Sequence, residues 1–390
     1  MMDKSKQKKM VPAIRFSGFT DDWEQRKFED ILVPFSIKSK VENEYPVLSS
    51  TNGGMEFRSG RVSGASNKGY KIIGNGDLVL SPQNLWLGNI NINNIGKGLV
   101  SPSYKTFKFK NINPEFVAPQ LKIGRKLKEY KDSSTQGASV VRRNLEMNYF
   151  YEITLLVPNI EEQNRIGELI KKLEIAITLH QRKLENLEAL KKLLLQKMFP
   201  KNGQDKPDIR FNGFTDDWEQ RKVSDIFQVT RGHVLSAKAV SPIKTDSNPY
   251  PVYSSQTKNN GLMGYYNEYL FNNAITWTTD GANAGTVNYR PGQFYSTNVN
   301  GVLLSNDGYV NKAVAESLDK VSYKFVSHVG NPKLMNNVMS EIIINIPSEI
   351  AEQARMSELL IDLDHSVTLH QRKLQKLDDV KRSLLQNMFV

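Results

Sequence analysis

The sequence predicts an α+β protein in which two mixed α/β domains are separated by two long helices that form an antiparallel coiled coil with pseudo-two-fold symmetry. Three observations predict this fold class. A fourteen-residue phrase occurs twice, a segment with a heptad pattern also occurs twice, and the segments between them differ in sequence while sharing short strand-like runs. The chain is therefore a duplication of a whole unit whose ends are kept and whose middle varies.

The composition excludes several classes of protein. The 390 residues are 39% hydrophobic and 24% charged, which is typical of soluble globular domains. The absence of cysteine excludes a disulfide scaffold and thiolate metal or nucleophile sites. The basic N-terminus has no apolar segment behind it, and no apolar run is long enough to span a bilayer. We expect a cytoplasmic protein that does not associate with a membrane.

The chain carries an excess of positive charge. Its 52 Lys and Arg residues exceed its 41 Asp and Glu residues, which gives a formal net charge of +11. A basic surface attracts phosphates and releases the counterions condensed on nucleic acid. The charge is therefore compatible with a nucleic-acid partner, although a solvated basic surface has the same signature.

The first element of each half is the repeated phrase. IRFSGFTDDWEQRK occupies residues 14–27 and IRFNGFTDDWEQRK occupies residues 209–222, so thirteen of fourteen positions agree. Trp23 and Trp218, one in each copy, are expected to be core anchors. The repetition predicts two equivalent structural or docking elements.

The middles of the two halves, residues 28–156 and 223–345, share little sequence. Both contain β-branched or aromatic runs separated by Gly, Asn, Ser and Pro, such as YKIIGNGDLVLS and AITWTTDGANAGTVNY. This punctuation is typical of strands and turns. The predicted boundaries are 1–157 for the first domain, 158–200 for the first helix, 201–346 for a linker and the second domain, and 347–390 for the second helix.

The segments that end each half are predicted to be long helices. Apolar residues recur at alternating spacings of three and four over nearly five heptads, which indicates a coiled-coil seam. The short linker after the first helix favours an antiparallel pair over a parallel one. The polar members of the seam are expected to set its register rather than to bind metal. The seam residues are Ile170, Leu173, Ile177, His180, Leu184, Leu187, Leu194, Leu360, Leu363, Val367, His370, Leu374, Leu377 and Leu384.

No catalytic motif stands out in the sequence. There is no phosphate-binding loop, no dinucleotide fingerprint, no helical zinc pair among the five histidines and no Asn-Pro-Pro-Tyr-type tetrad. Asp208, together with Gln-Arg-Lys at residues 220–222, imitates the metal-binding pattern of nucleases. The position equivalent to Asp208 in the first copy is Ala13. We therefore expect no catalytic residue, no metal site and a binding or assembly role.

The whole chain resembles the specificity subunit of type I restriction-modification enzymes. The resemblance rests on FTDDWEQRK at the start of each half, on the helix starts EEQNRI and AEQARM, and on the LHQRKL and LLQ tails. The runs YPVYSSQTKNNGLMGYY and TTDGANAGTVNY in the second half are also similar to that family.

The resemblance implies a division of labour. Each variable segment would be a target-recognition domain that reads one half of a gapped, asymmetric sequence in double-stranded DNA, and the helices would be the spacer. Two methyltransferase subunits would dock on the paired conserved regions, and restriction and translocase subunits would join them. Catalysis, S-adenosylmethionine, ATP and Mg²⁺ would belong to these partners, so this chain would be a non-catalytic subunit without a cofactor of its own.

A spacer of this kind agrees with the length of the helices. Each predicted helix is roughly 57 Å long at about 1.5 Å per residue. That length is about one and a half turns of B-DNA. Two domains so spaced could read two short elements with a gap between them.

Base reading requires amide, hydroxyl and basic side chains at base edges. Loops rich in such groups supply the candidates, each of which could equally be an ordinary polar turn residue. The candidate DNA-binding residues are Ser50, Thr51, Asn52, Gln83, Asn84, Gln136, Arg142, Arg143, Ser254, Gln256, Lys258, Asn259, Thr278, Thr279, Asn283, Asn331 and Lys333.

Two other functions are compatible with parts of the sequence. A coiled-coil adaptor whose domains bind proteins or glycans would have the same helices without DNA specificity. A DNA-cleaving enzyme would use Asp208 as a metal ligand.

Overall fold

The protein divides into two compact units. The structure, a computed structural model, describes residues 11–58, 66–137, 142–201, 204–255 and 258–389. The first unit comprises residues 1–181 together with 373–390, and the second comprises residues 182–372. Each long helix therefore contributes one part to each unit. Within the described residues, no helix is both long enough and apolar enough to cross a membrane.

The first unit is built mainly from short strands. Its strands are β1 (Glu24–Lys27), β2 (Leu32–Pro34), β3 (Leu48–Ser50), β4 (Met55–Phe57), β5 (Lys71–Ile73), β6 (Leu78–Leu80), β7 (Ile90–Ile92), β8 (Gly98–Val100), β9 (Lys105–Phe109), β10 (Ser134–Gln136), β11 (Arg143–Leu145) and β12 (Thr154–Val157). Its helices are α1 (Phe28–Ile31), α2 (Pro114–Val117), α3 (Gly124–Asp132), α4 (Met147–Tyr151) and the first part of α5 (Ile160–Lys197).

A four-stranded antiparallel sheet in the order β2-β9-β6-β7 organises the first unit. The repeated phrase enters the fold as β1, which pairs antiparallel with β12 directly before α5. Trp23 is buried in the same core as Phe28, Phe107 and Phe150, so this tryptophan is a core anchor as the sequence predicts.

The second unit contains a larger sheet. Its strands are β13 (Glu219–Lys222), β14 (Gln228–Arg231), β15 (Tyr250–Tyr253), β16 (Leu262–Tyr266), β17 (Phe271–Thr278), β18 (Val287–Ser296), β19 (Asn300–Leu304) and β20 (Ile343–Ile346). Its helices are α6 (Val223–Ile226), α7 (Lys312–Ser322), α8 (Asn336–Glu341) and the first part of α9 (Ile350–Asn387).

Six strands of the second unit form one sheet in the order β14-β19-β17-β18-β15-β16. Strand alternation separates its faces, because successive side chains point to opposite sides. Ile275 and Trp277 of β17 pack into the main core, whereas Thr276 and Thr278 point to the other side, where they line a polar recess. As in the first unit, the repeated phrase forms a two-stranded sheet, here β13 with β20.

The long helices run antiparallel in the first unit. Ile166 and Ile170 near the start of α5 pack with Met388 and Phe389 at the end of α9. Further along, Lys381 Nζ lies 2.8 Å from Glu174 Oε1. Later residues of α5 therefore lie beside earlier residues of α9, as in an antiparallel pair.

The second unit repeats this arrangement with the other helix parts. Met198 at the end of α5 packs with Met356 and Leu360 near the start of α9, and Lys191 forms an ion pair with Asp364. The two α+β parts and the antiparallel helix pairs confirm the predicted fold class.

Candidate nucleic-acid interface

The repeated phrase holds the start of a long helix in each unit. In the first unit, Arg15 Nε and Nη2 donate to the two carboxylate oxygens of Glu162 at 2.7 and 2.8 Å, and Glu162 is fully buried. In the second unit, Arg210 binds Glu352 in the same bidentate way at 2.6 and 2.7 Å. Such paired bonds fix orientation as well as distance. The phrase therefore provides the same structural element twice.

A glutamine next to each of these glutamates repeats a second contact. Gln163 Nε2 donates to Pro158 O, and Gln353 Nε2 donates to Pro347 O, both at 2.8 Å. Gln163 Oε1 accepts from Asn113 N and Gln353 Oε1 accepts from an Asn311 side chain. These contacts connect each helix start to the variable part of its own unit.

In the first unit, Gln83 and Arg143 line one recess of about 250 Å³. Arg143 N donates to Gln83 O at 3.1 Å, and Gln136 lies opposite Arg143 in the β10–β11 hairpin. The guanidinium of Arg143 bonds to Ser134 Oγ and Ser134 O at 2.8 and 2.7 Å. Three residues from separate positions of the sequence are thus brought together, although Arg143 also holds the hairpin.

The loop that contains Ser50, Thr51 and Asn52 is held by residues that the sequence analysis missed. Ser50 is buried, and its hydroxyl accepts from Asn91 Nδ2 at 2.7 Å. Lys122 Nζ donates to Asn52 O at 3.0 Å and to Asn91 Oδ1 at 2.6 Å, and burial lowers the pKa of Lys122. The exposed part of this loop is the side chain of Asn52.

The remaining candidates of the first unit lie near these groups. Asn84 is half-buried, and its carbonyl accepts from the backbone nitrogen of Asn89 at 3.4 Å. Ser50 Oγ also donates to the side chain of Asn89 at 2.7 Å, which links the two loops. Arg142 is exposed next to the hairpin strand β11.

In the second unit, Ser254, Thr278 and Asn283 line a recess of about 160 Å³. The sequence analysis missed the other polar residues around it. These residues are Asn260, Thr276, Thr286, Asn288, Arg290 and Asn300. All of these side chains are hydroxyls or amides except for the single cation of Arg290. The sequence predicted part of a polar site whose other members come from β17, β18, β19 and the segments beside them.

The other candidates of the second unit form a neighbouring turn region. Thr279 is buried, and its hydroxyl bonds to Asp280 Oδ2 and to Val299 O. Lys333 Nζ lies 3.8 Å from Asp280 Oδ1, and Leu334 N donates to Thr279 O at 2.9 Å. The segment that contains the exposed Asn331 therefore lies beside the TTDGANAG turn.

Three candidates lie on the segment between β15 and β16. Asn259 is exposed and has a left-handed backbone with φ of 52°. Only the backbone of Lys258 is described, and Gln256 lies outside the described residues. DNA contact by these residues, as by the other candidates, stays a prediction.

The seam residues have the exposure expected of a helix interface. All fourteen side chains are buried or half-buried in the unit to which they belong. Lys191 and Lys381, which share the heptad row of Ile170 and Leu360, form ion pairs with acidic residues of the opposite helix. These pairs are equivalent, because each joins a lysine of one repeat to an acidic residue of the other.

Asp208 has lysine partners. Its carboxylate lies 2.7 Å from Lys197 Nζ and 2.8 Å from Lys201 Nζ, and these cations lower the pKa of Asp208 to about 2. Among the residues that the structure describes, no group of three or more His, Cys, Asp or Glu side chains could hold a metal ion.

Comparisons with known proteins identify related sequences. Residues 20–189 and 215–379 match the family described as the type I restriction modification DNA specificity domain. A Mycoplasma pneumoniae protein named as a type I specificity subunit N-terminus is 42% identical over 131 residues, which are 33% of this chain and 68% of that protein. Another type I specificity subunit of the same organism is 32% identical over 54% of this chain and 75% of its own length.

A solved structure shares the fold. The crystal structure of a type I restriction-modification S subunit from M. genitalium superposes with a TM-score of 0.67 over 98% of this chain and 99% of that chain. Its sequence identity is 13%, so the likeness supports the fold alone.

Proposed function

Because the chain belongs to the type I restriction modification DNA specificity family, we propose that it is the DNA-recognition and scaffold subunit of a type I restriction-modification complex. Each variable segment, residues 28–156 and 223–345, reads one half of a gapped and asymmetric site in double-stranded DNA. The chain itself performs no catalysis. The partner subunits supply the methyl transfer, cleavage and translocation, and they bind S-adenosylmethionine, ATP and Mg²⁺. DNA recognition by this complex takes place in the cytoplasm.

One observation carries the proposal: the two units have the same frame at their helix starts but different polar recesses. The frame consists of the repeated Arg–Glu and Gln–Pro contacts at the helix starts. The recess of the first unit contains Gln83 and Arg143, whereas that of the second contains threonine, asparagine and Arg290. A constant frame with variable polar groups suits two readers of different base sequences.

The two repeated helices supply the docking surfaces for two methyltransferase subunits. In the first unit, Leu179 and Val380 are 60% and 48% exposed. In the second unit, their equivalents Leu369 and Leu190 are 42% and 43% exposed. Exposed apolar residues that recur at equivalent positions favour two equivalent protein partners. Restriction and translocase subunits then join the complex.

A binding-site selection tests the function. The purified chain with its methyltransferase partner is incubated with random duplex DNA, and the bound fraction is sequenced. We expect a motif with two short specific elements and a gap of fixed length. Recovery of random sequence would contradict the proposal.

The salt dependence of binding separates DNA recognition from an adaptor role. A basic protein that neutralises several phosphates loses affinity steeply as salt rises. We expect the logarithm of the binding constant for duplex DNA to fall linearly with the logarithm of salt concentration. Affinity that is independent of salt and absent for duplex DNA would instead support a protein-binding adaptor.

A further inference from the structure

Arg290 is a buried arginine on β18 that faces the recess of the second unit. Its side chain is 6% exposed. Nε donates to Thr276 Oγ1 at 3.2 Å, and Nη2 donates to Asn260 O at 2.6 Å. The ring of Tyr253 lies against the guanidinium, with its centroid 3.8 Å from Cζ. These contacts hold the guanidinium plane in one orientation.

The charge of Arg290 is not balanced within the recess. Among the residues that the structure describes, no carboxylate lies within ion-pair distance of this guanidinium, and the recess lining contains only neutral groups besides it. Burial lowers the pKa of Arg290 to about 10, so the side chain remains a cation at neutral pH. A buried charge without a counterion is costly and is uncommon unless a ligand uses it.

The recess is large enough to admit the edge of a base. Its volume of about 160 Å³ is close to that of an engineered cavity of about 150 Å³ that binds benzene. In contrast to that cavity, this one is lined by hydroxyl and amide groups, which can bond to a polar ring. An exposed lysine is sufficient for a phosphate contact, and such a contact needs no recess.

The guanidinium selects among the bases. It has five N–H donors in a planar fork. The bonds to Thr276, to Asn260 and to the side chain of Tyr253 engage three of them, so two remain for a ligand. In the major groove, guanine presents two neighbouring acceptors, O6 and N7, while adenine and cytosine each present a donor and thymine presents a methyl group. A fixed cationic fork therefore matches guanine and disfavours the other three bases.

We propose that this recess binds the O6/N7 edge of one guanine in the half-site read by the second unit, with Arg290 as the residue that specifies it. The inference rests on the proposed function and adds the base and the residue. Thr276 and Tyr253 position the guanidinium, and Thr278 and Asn283 border the recess.

The alternative is that Arg290 only holds the segment that contains Asn260. Three variants separate the two roles. Arg290→Gln removes the fork, and Arg290→Lys keeps the charge without the fork. Thr276→Val removes one of the bonds that position the guanidinium and keeps both its charge and its fork. Arg231→Gln, at an exposed arginine of β14, is the matched control for the loss of one positive charge.

The experiment uses the full chain with its methyltransferase partner. The selected motif is assigned to units by exchanging residues 223–345. Each guanine in the half-site of the second unit is then replaced by 7-deazaguanine, which lacks the N7 acceptor. We expect one position at which this replacement weakens wild-type binding by about tenfold, since a bidentate arginine–guanine contact discriminates by that order. In the Arg290→Gln variant, replacing that guanine by 7-deazaguanine should cause no further loss of affinity.

The variants should differ in base preference as well as in affinity. Arg290→Lys should retain most affinity but accept other bases at that single position. Thr276→Val should weaken the guanine preference less than Arg290→Gln does, and Arg231→Gln should weaken binding to all sequences evenly. If the Arg290→Gln variant is unfolded at the temperature of the binding experiment, Arg290→Lys provides the same comparison.

Three results would overturn the inference while leaving the proposed function intact. The first is a half-site without guanine, the second is simple addition of the effects of Arg290→Gln and 7-deazaguanine, and the third is a wild-type base preference in both Arg290 variants. Failure of the wild-type protein to select any motif would instead contradict the proposed function.

Discussion

At the scale of single residues, the buried glutamates at the helix starts are positions where a substitution should strongly reduce stability. Glu162 is fully buried and has one cationic partner, Arg15. Removing one member of a buried ion pair leaves the other without compensation and typically costs about 3–5 kcal/mol. The same reasoning applies to Glu352 and Arg210 in the second unit.

We predict that Glu162→Gln lowers the free energy of unfolding by about 3 kcal/mol, because it leaves the guanidinium of Arg15 without its bidentate acceptor. Urea denaturation followed by circular dichroism measures the change. The matched control is Glu168→Gln on the same helix, where the exposed pair with Lys172 should contribute nothing measurable. Equal losses in the two variants would contradict this prediction.

Gly301 shows how close packing fixes a residue. A Cβ added at this position would overlap the indole ring of Trp277, which is buried and donates from Nε1 to Leu334 O at 3.0 Å. We predict that Gly301→Ala lowers the free energy of unfolding by about 1–3 kcal/mol or more, as overpacking does. Tryptophan fluorescence during denaturation measures this loss of stability. Gly124→Ala, where an added Cβ meets nothing within 4 Å, is the control and should be tolerated.

At the scale of elements, each long helix has an apolar side that packs inside its unit and further apolar residues that are exposed. On α9, Leu360 is 1% exposed and Leu369 is 42% exposed. Both are leucines of the same helix, so the difference comes from what lies against each side chain. Leu360 packs with Met198, Met356 and Trp218.

We predict that Leu360→Ala lowers the free energy of unfolding by about 2–5 kcal/mol, because it removes buried methyl groups and leaves a cavity. Thermal denaturation of the purified chain measures the loss. Leu369→Ala should leave the melting temperature unchanged and serves as the control on the same helix.

A different substitution at Leu369 tests docking. Leu369→Asp should weaken the association with the methyltransferase partner, because it places a charge on a surface proposed to bury apolar groups. Sedimentation of the mixed subunits measures the association. Retention of full affinity together with wild-type stability would show that this side of α9 does not dock the partner.

At the scale of the whole molecule, each unit has its own core and its own polar recess. The six-stranded sheet of the second unit lies entirely within residues 228–304. Side chains that line its recess come from the same segment. The polar groups that we propose to read DNA in this unit therefore all lie in its own middle segment.

We predict that exchanging residues 223–345 for the equivalent segment of a relative changes one half of the recognised site and leaves the other half intact. Sequencing the methylated positions in cells that carry the chimaera measures this. A change in both halves would contradict independent reading by the two units.

The sequence by itself determined the duplication, the two long helices and the family resemblance, because these depend on local repetition and on a heptad period. It also pointed to Gln83, Arg143, Thr278 and Asn283, which do line polar recesses. Strand alternation would have pointed to two further polar residues, because NINI and VNYR place their polar side chains on one face of a strand. These are Asn91, which bonds to Ser50, and Arg290, which lines the second recess.

Only the tertiary structure decided which polar groups meet. Ser50 and Thr279 are polar turn residues in the sequence, yet both are buried and bonded within the protein. Arg290 acquires its setting from Asn260 and Thr276, which β15, β16 and β17 bring beside it. The physical reason is that strand pairing joins residues far apart in the chain, and a local pattern fixes the face of a strand but not its neighbours.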